Sequence, residues 1–189
     1  MAAPEASTTK ARAPRWRVLV EWVAIIGVAL TLSIVVRDFG FQTFYIPSGS
    51  MEPTLQVGDR IIVDKLSVRF GTINRGDILV FKAPPAVNTQ CGDADADLVK
   101  RVVGIPGDRV SSKGNTIYVN GKPYVERWSH TEPFGKALTP TTVPANDYFM
   151  IGDNHSDSCD SRYWGFVPRG NVIGKVFLRI WPFGRIAWI

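Results

Sequence analysis

At 189 residues, with 45% hydrophobic and 21% charged side chains, the chain is long enough for one ordinary domain plus an appendage, and its composition excludes a disordered polymer or a coiled coil. Its 22 Lys and Arg against 17 Asp and Glu give +5, but much of that excess sits in the first 17 residues, and no basic stripe interleaved with aromatics marks a nucleic-acid surface. Cys91, Cys159, His130 and His155 show no zinc spacing, and no metal or cofactor is called for.

Residues 1–14 are small and polar and read as a disordered tail, part of a basic segment over 1–17 that carries Lys10, Arg12, Arg15 and Arg17. The next 19 residues, Val18 to Val36, read VLVEWVAIIGVALTLSIVV, with Glu21 as their one charge. As a helix this run would be roughly 28 Å long, close to the thickness of a bilayer's hydrocarbon core. Trp16 and Trp22 suit the headgroup region, and Arg37-Asp38 close the far side. A cleaved signal peptide is the rival reading, but VVRDFGF offers no small-x-small site and the run exceeds a usual signal core. A soluble helix would need a polar face, which Ala24 to Leu30 lacks. The expectation is an uncleaved anchor over 18–36. Four basic residues before it, against Arg37 just after, put the N-terminus in the cytoplasm and residues 37–189 outside.

From Phe41 onward the pattern is that of short strands. Arg60–Leu66, Asp77–Ala83, Leu98–Ile105, Thr116–Gly121, Asp147–Gly152 and Gly174–Trp181 are rich in β-branched and aromatic residues, with Gly and Pro clusters between them. Gly-Asp recurs at 58–59, 76–77, 107–108 and 152–153 as turn chemistry, and Val119-Asn120-Gly121-Lys122 predicts a tight hairpin. Pro84–Asp97 reads as an exposed loop, Trp128–Asn146 as a second irregular stretch, and no amphipathic helix is expected after Val36. The apolar tail VFLRIWPFGRIAWI reads as a core strand and terminal flap, or as a Trp/Phe patch resting on a bilayer. The predicted fold class is mainly β: a coiled antiparallel sheet or barrel-like domain behind one N-terminal transmembrane helix.

The stretch Tyr45-Ile46-Pro47-Ser48-Gly49-Ser50-Met51-Glu52-Pro53 places two serines in a rigid turn where backbone can approach a substrate. A serine nucleophile needs a base. His155, with Asp153 or Asp160, is one option; the other is a lysine whose pKa burial has lowered. Lys100 lies in Leu98-Val99-Lys100-Arg101-Val102-Val103, where strand alternation puts Lys100 and Arg101 on opposite faces. Either one of them shares the packed face, or both snorkel from an edge strand.

Pro47-Ser48-Gly49-Ser50-Met51 with Pro53-Thr54-Leu55, Lys100-Arg101-Val102-Val103-Gly104 with Pro106-Gly107-Asp108, and Gly152-Asp153-Asn154 through Ser158-Cys159-Asp160-Ser161-Arg162 resemble, in order, the three sequence boxes of bacterial type I signal peptidases. The resemblance implies Ser50 as nucleophile and Lys100 as general base. It implies that Ser48 offers its hydroxyl to the oxyanion, that Ser158 hydrogen-bonds the Lys100 amine, and that Asp160 and Arg162 support the site. His155 stands where the family often has arginine. The implied substrates are the signal peptides of secretory preproteins, bound as an added strand over shallow pockets, to which Ile46 and Val99 are expected to contribute. The implied partners are these peptides and the lipid bilayer, with no nucleic acid. Ser50 follows Val36 by 14 residues, so the site is tethered within at most roughly 50 Å of the anchor. Cys159 fills a variable position, and a Cys91–Cys159 bridge and two free thiols are both left open.

Overall fold

The computed structural model describes residues 15–35, 40–91, 97–126, 128 and 135–189, in two units divided between Asp38 and Phe39. The tail over 1–14, with Lys10 and Arg12, and also Arg37, Asp38 and His130, lie outside the described residues. The first unit is the helix α1 (Arg15–Val35), which has no proline to interrupt it. Its apolar side chains are exposed on every face, as Leu19, Val23, Ile26 and Leu30 show. Thr31 donates its hydroxyl to the Gly27 carbonyl at 2.9 Å, so even this polar group is satisfied within the helix. Among the described residues, Trp16–Ile34 is the one helical stretch long and apolar enough to cross a membrane.

The second unit is built from twelve described strands: β1 (Phe41–Tyr45), β2 (Arg60–Asp64), β3 (Ile78–Lys82), β4 (Asp97–Gly104), β5 (Arg109–Lys113), β6 (Thr116–Val119), β7 (Lys122–Pro123), β8 (Thr141–Thr142), β9 (Asp147–Ile151), β10 (Val167–Pro168), β11 (Val172–Trp181) and β12 (Ala187–Trp188). Every pairing is antiparallel. The large sheet runs β1-β2-β11-β3-β4-β9-β10, with β12 folded back on β11, and a small sheet runs β7-β6-β5-β8. This is the mainly β architecture expected, and each of the six apolar runs forms a strand. The predicted hairpin joins β6 to β7, with Asn120 at φ 53° and Gly121 at φ 76°, the pair of left-handed residues a two-residue turn requires. At the first three Gly-Asp pairs the glycine has positive φ, and the carboxylate of Asp59, Asp77 or Asp108 accepts the backbone N–H three residues earlier.

One expectation needs correction. Part of the predicted loop at Pro84–Asp97 is a short helix, α3 (Ala86–Cys91), because Val87 is drawn into the core. Short helices also occur at α2 (Leu66–Phe70), where Asp64 accepts the Leu66 and Ser67 N–H groups, and at α4 (Ser161–Trp164). They are too short to carry a helical period.

The core covers both faces of the sheet's middle. Leu79 and Phe81 of β3 join Val102, Met150 and Trp164 on one side, while Ile78 and Val80 join Ile46, Met51, Leu55 and Val63 on the other. A third cluster of Val103, Val110, Ile117, Phe149 and Ile151 ties the small sheet to β4 and β9. The strand β4 lies between β3 and β9, so it is central, and the edge-strand alternative for Lys100 and Arg101 fails. Both side chains are buried, one on each face.

Candidate active site

After β1 the chain turns sharply, held by hydrogen bonds from Ile46 N–H to the Asp59 carbonyl and from Gly58 N–H to the Ile46 carbonyl, both 2.9 Å. A single 3-10 turn, Gly49–Met51, follows, with Ser48 extended at its start. Met51 and Leu55 are driven into the core and pin this turn from below. Ser50 is thereby held at 8% exposure, and the exposed Ser48 hydroxyl lies 3.5 Å from Ser50 Oγ.

Lys100 reaches the same point from the middle of β4, where it pairs with Leu79. It is 4% exposed, and its Nζ lies 2.6 Å from Ser50 Oγ. Burial lowers its pKa from the ordinary lysine value to about 8; Asp160 acts in the opposite direction and Arg162 reinforces the shift. An amine that is substantially neutral at mildly alkaline pH, in hydrogen-bond contact with a serine hydroxyl, is a proton acceptor facing a nucleophile.

Residues 152–162 form the third wall. Asn154 donates its backbone N–H to the Ser50 carbonyl at 3.1 Å and its side-chain amide to the Gly49 carbonyl at 3.2 Å. Asp153 takes a two-pronged contact from Arg101, 2.8 and 2.7 Å, and a hydrogen bond from the Thr54 hydroxyl at 2.5 Å. Gly152 lies so close to Ser50 and Ser158 that an added Cβ would collide with the Ser50 carbonyl and the Ser158 side chain. Asp160 caps α4, accepts the Gly152 N–H at 3.1 Å and holds Arg162 through two 2.8 Å hydrogen bonds. Arg162 also donates to the carbonyls of His155 and Ser158, at 2.9 and 3.2 Å, which closes the loop on itself. Cys91 and Cys159 are joined in a disulfide, Cα atoms 6.2 Å apart, which takes the bridged one of the two open alternatives.

The fold thus brings Ser48, Ser50, Lys100, Ser158, Asp160 and Arg162 together. Ser158 Oγ is buried beside Gly152 but makes no hydrogen bond, so the implied contact with the Lys100 amine is not formed. His155 is buried with its Nε2 3.3 Å from Glu126 Oε1. Ile46 is 2% exposed and belongs to the core beneath the site, while Val99 is half-buried against the same cluster. Sequence reasoning did not assign Arg101, Thr54 and Asn154 to the frame of the site. An arginine beside a buried lysine on a core strand requires a buried carboxylate, and the structure supplies it in Asp153.

Among the described residues no group of His, Cys, Asp and Glu is arranged to hold a metal ion. Residues 19–181 match the family described as signal peptidase, peptidase S26. Signal peptidase I of Leptolyngbya laminosa is 40% identical over 98% of this chain and 89% of its own length. Signal peptidase I of Bacillus caldolyticus is 37% identical over 94% of this chain and 95% of its own, and signal peptidase IB of Staphylococcus aureus (strain MRSA252) is 32% identical over 90% and 93%.

Proposed function

Because the chain belongs to the signal peptidase family, peptidase S26, we propose that Ser50 is its nucleophile and Lys100 its general base. The protein is a serine endopeptidase that removes signal peptides from exported preproteins. The observation that carries the residue assignment is the 2.6 Å contact between Ser50 Oγ and a buried lysine whose pKa lies near 8.

In the proposed course neutral Lys100 accepts the Ser50 proton as Oγ bonds to the scissile carbonyl carbon. The carbonyl oxygen becomes an oxyanion, held by the Ser50 N–H and the exposed Ser48 hydroxyl. Collapse breaks the carbon–nitrogen bond, and the Lys100 ammonium returns its proton to the leaving amine. Water then gives a proton to Lys100 and hydrolyses the ester. Asp160 and Arg162 shape the wall behind Lys100, and Ser158 completes it. Val99 borders the substrate's small side chain, with Ile46 as the packed layer behind it.

An N-terminal apolar helix anchors the enzyme to the membrane. We assign residues 1–17 to a cytoplasmic tail, 18–36 to a single span and 37–189 to a catalytic domain outside the membrane, on the excess of basic residues before the span. The lipid bilayer is a second partner of the catalytic unit. Phe41, Phe177 and Trp188 stack along the outer face of β1, β11 and β12, at ring separations of 5.5 and 5.9 Å. Trp181 and Phe183 meet at 4.7 Å beyond them. Phe183 and Trp188 are 74% and 77% exposed, an apolar surface that water does not favour.

The test is cleavage of a secretory preprotein by the purified full chain in detergent, beside Ser50→Ala. Wild type is expected to cut after a small-x-small site, and the variant to lose roughly a thousandfold or more of that rate. Cleavage that survives the substitution would sink the assignment.

A further inference from the structure

Beyond the reacting atoms, Tyr124, Glu126 and Trp128, which follow β7, meet the frame holding the Ser50 turn. The ring of Trp128 covers the Arg101 guanidinium, whose central carbon is 3.9 Å from the ring centroid. Tyr124 meets Trp128 edge-on at 6.0 Å, and the same segment places Glu126 3.3 Å from His155. The edges of the Arg101 guanidinium are already engaged: Nε and Nη2 by Asp153, at 2.8 and 2.7 Å, and Nη1 by the Gly76 carbonyl at 2.8 Å. Nη2 also lies 3.4 Å from the Thr54 hydroxyl oxygen, and what Trp128 meets is a face of the guanidinium, which offers no hydrogen-bond donor. An indole is the side chain best suited to it, because its π electrons attract the cation while its bulk excludes water.

The arrangement reaches Ser50 in two steps. Asp153, held by Arg101, accepts the Thr54 hydroxyl on the far limb of the serine turn. Its neighbour Asn154 holds the carbonyls of Gly49 and Ser50. Water beside Arg101 would raise the local dielectric, weaken its grip on Asp153 and free the turn to shift relative to Lys100. A small displacement of a nucleophile costs rate steeply while leaving substrate affinity largely alone.

We propose that Trp128 is a positioning residue for acylation, acting through the Arg101–Asp153 pair to keep Ser50 in register with Lys100. The small sheet thereby contributes to positioning, since Trp128 follows its strand β7. The inference rests on Ser50 and Lys100 being the reacting pair.

The experiment compares full-chain wild type, Ser50→Ala, Trp128→Leu and Trp128→Phe on a preprotein substrate, with kcat and KM measured separately from pH 6 to 10. Leucine keeps apolar bulk but has no π face; phenylalanine keeps both. Trp128→Leu is expected to lower kcat about tenfold, with KM within about twofold, and Trp128→Phe to restore most of the loss. The acidic limb of the pH profile should stay where it is in wild type, because Trp128 meets Arg101, on the face of β4 opposite Lys100. A Leu variant with wild-type kcat overturns the proposal. So does a Phe variant as slow as the Leu variant, or one in which kcat, KM and melting temperature all fall together, which would make Trp128 a packing residue. A displaced acidic limb would move its action to the base and refute positioning of the turn. Activity in Ser50→Ala would refute the underlying reading, and this proposal with it; a dead Ser50→Ala beside a fully active Trp128→Leu would refute this proposal alone.

Discussion

Lys100 carries a conflict between stability and chemistry that can be measured. Burial holds its pKa at about 8, against roughly 10.4 for an exposed lysine. Below pH 8 the folded state must keep an ammonium out of water, and above about 10.4 neither state carries the charge. Between those values the unfolded chain binds more protons than the folded one, so stability rises with pH across that window. Lys100→Met should therefore be inactive yet melt higher than wild type at pH 7, with the gain fading by pH 10. Wild-type kcat/KM should in turn rise about tenfold per pH unit below 8 and level off above it. A flat profile from pH 6 to 9, or no gain for the Met variant at pH 7, would contradict this account. Strand alternation could not choose between Lys100 and Arg101 because it assumes one wet face. Neither face of β4 is wet, and each basic residue has its own buried partner: Ser50 for Lys100, Asp153 for Arg101.

The elements that needed least context were the most legible. The six apolar runs, the Asn120-Gly121 hairpin and the first three Gly-Asp turns depend on neighbours within a few residues, and each is present; at Gly152-Asp153 the carboxylate instead meets Arg101 and Thr54. The strand β5 escaped notice because Arg109-Val110-Ser111-Ser112-Lys113 offers one buried apolar residue, Val110; its remaining support comes from β6 and β8. The helix α3 escaped because a single turn shows no period, and its place is set by Val87 in the core and by the bridge from Cys91 to Cys159. The third wall of the site could be seen as a cluster of polar residues, but not that its backbone runs against the serine turn. That closeness is concentrated at Gly152. Gly152→Ala is expected to cut activity at least about a hundredfold, because the methyl group must push the Ser50 carbonyl or the Ser158 side chain aside. Near-normal turnover in that variant would show that the wall can relax.

At the scale of the whole molecule, the outer aromatic face of β1, β11 and β12 should make catalysis respond to lipid. Phospholipid added to the detergent-solubilised full chain is expected to raise wild-type turnover at least about threefold, and the double variant Phe183→Ser, Trp188→Ser to lose most of that rise. Equal stimulation of both would separate the patch from function. Strand order was the least legible property of all, because local turn chemistry links sequence neighbours and says nothing of distant ones. No local signal tells that β11 lies between β2 and β3. That placement sets when a newly made copy can begin to work. Synthesis runs from the N-terminus, so residues 41–104, which include Ser50 and Lys100, are made well before Val172–Trp181. Until that late strand inserts, β2, which follows the serine turn, and β3, which supports the lysine strand, are not joined in one sheet. An unfinished chain would hold Ser50 and Lys100 without the strand that joins β2 to β3, and is expected to gain activity only once β11 is in place.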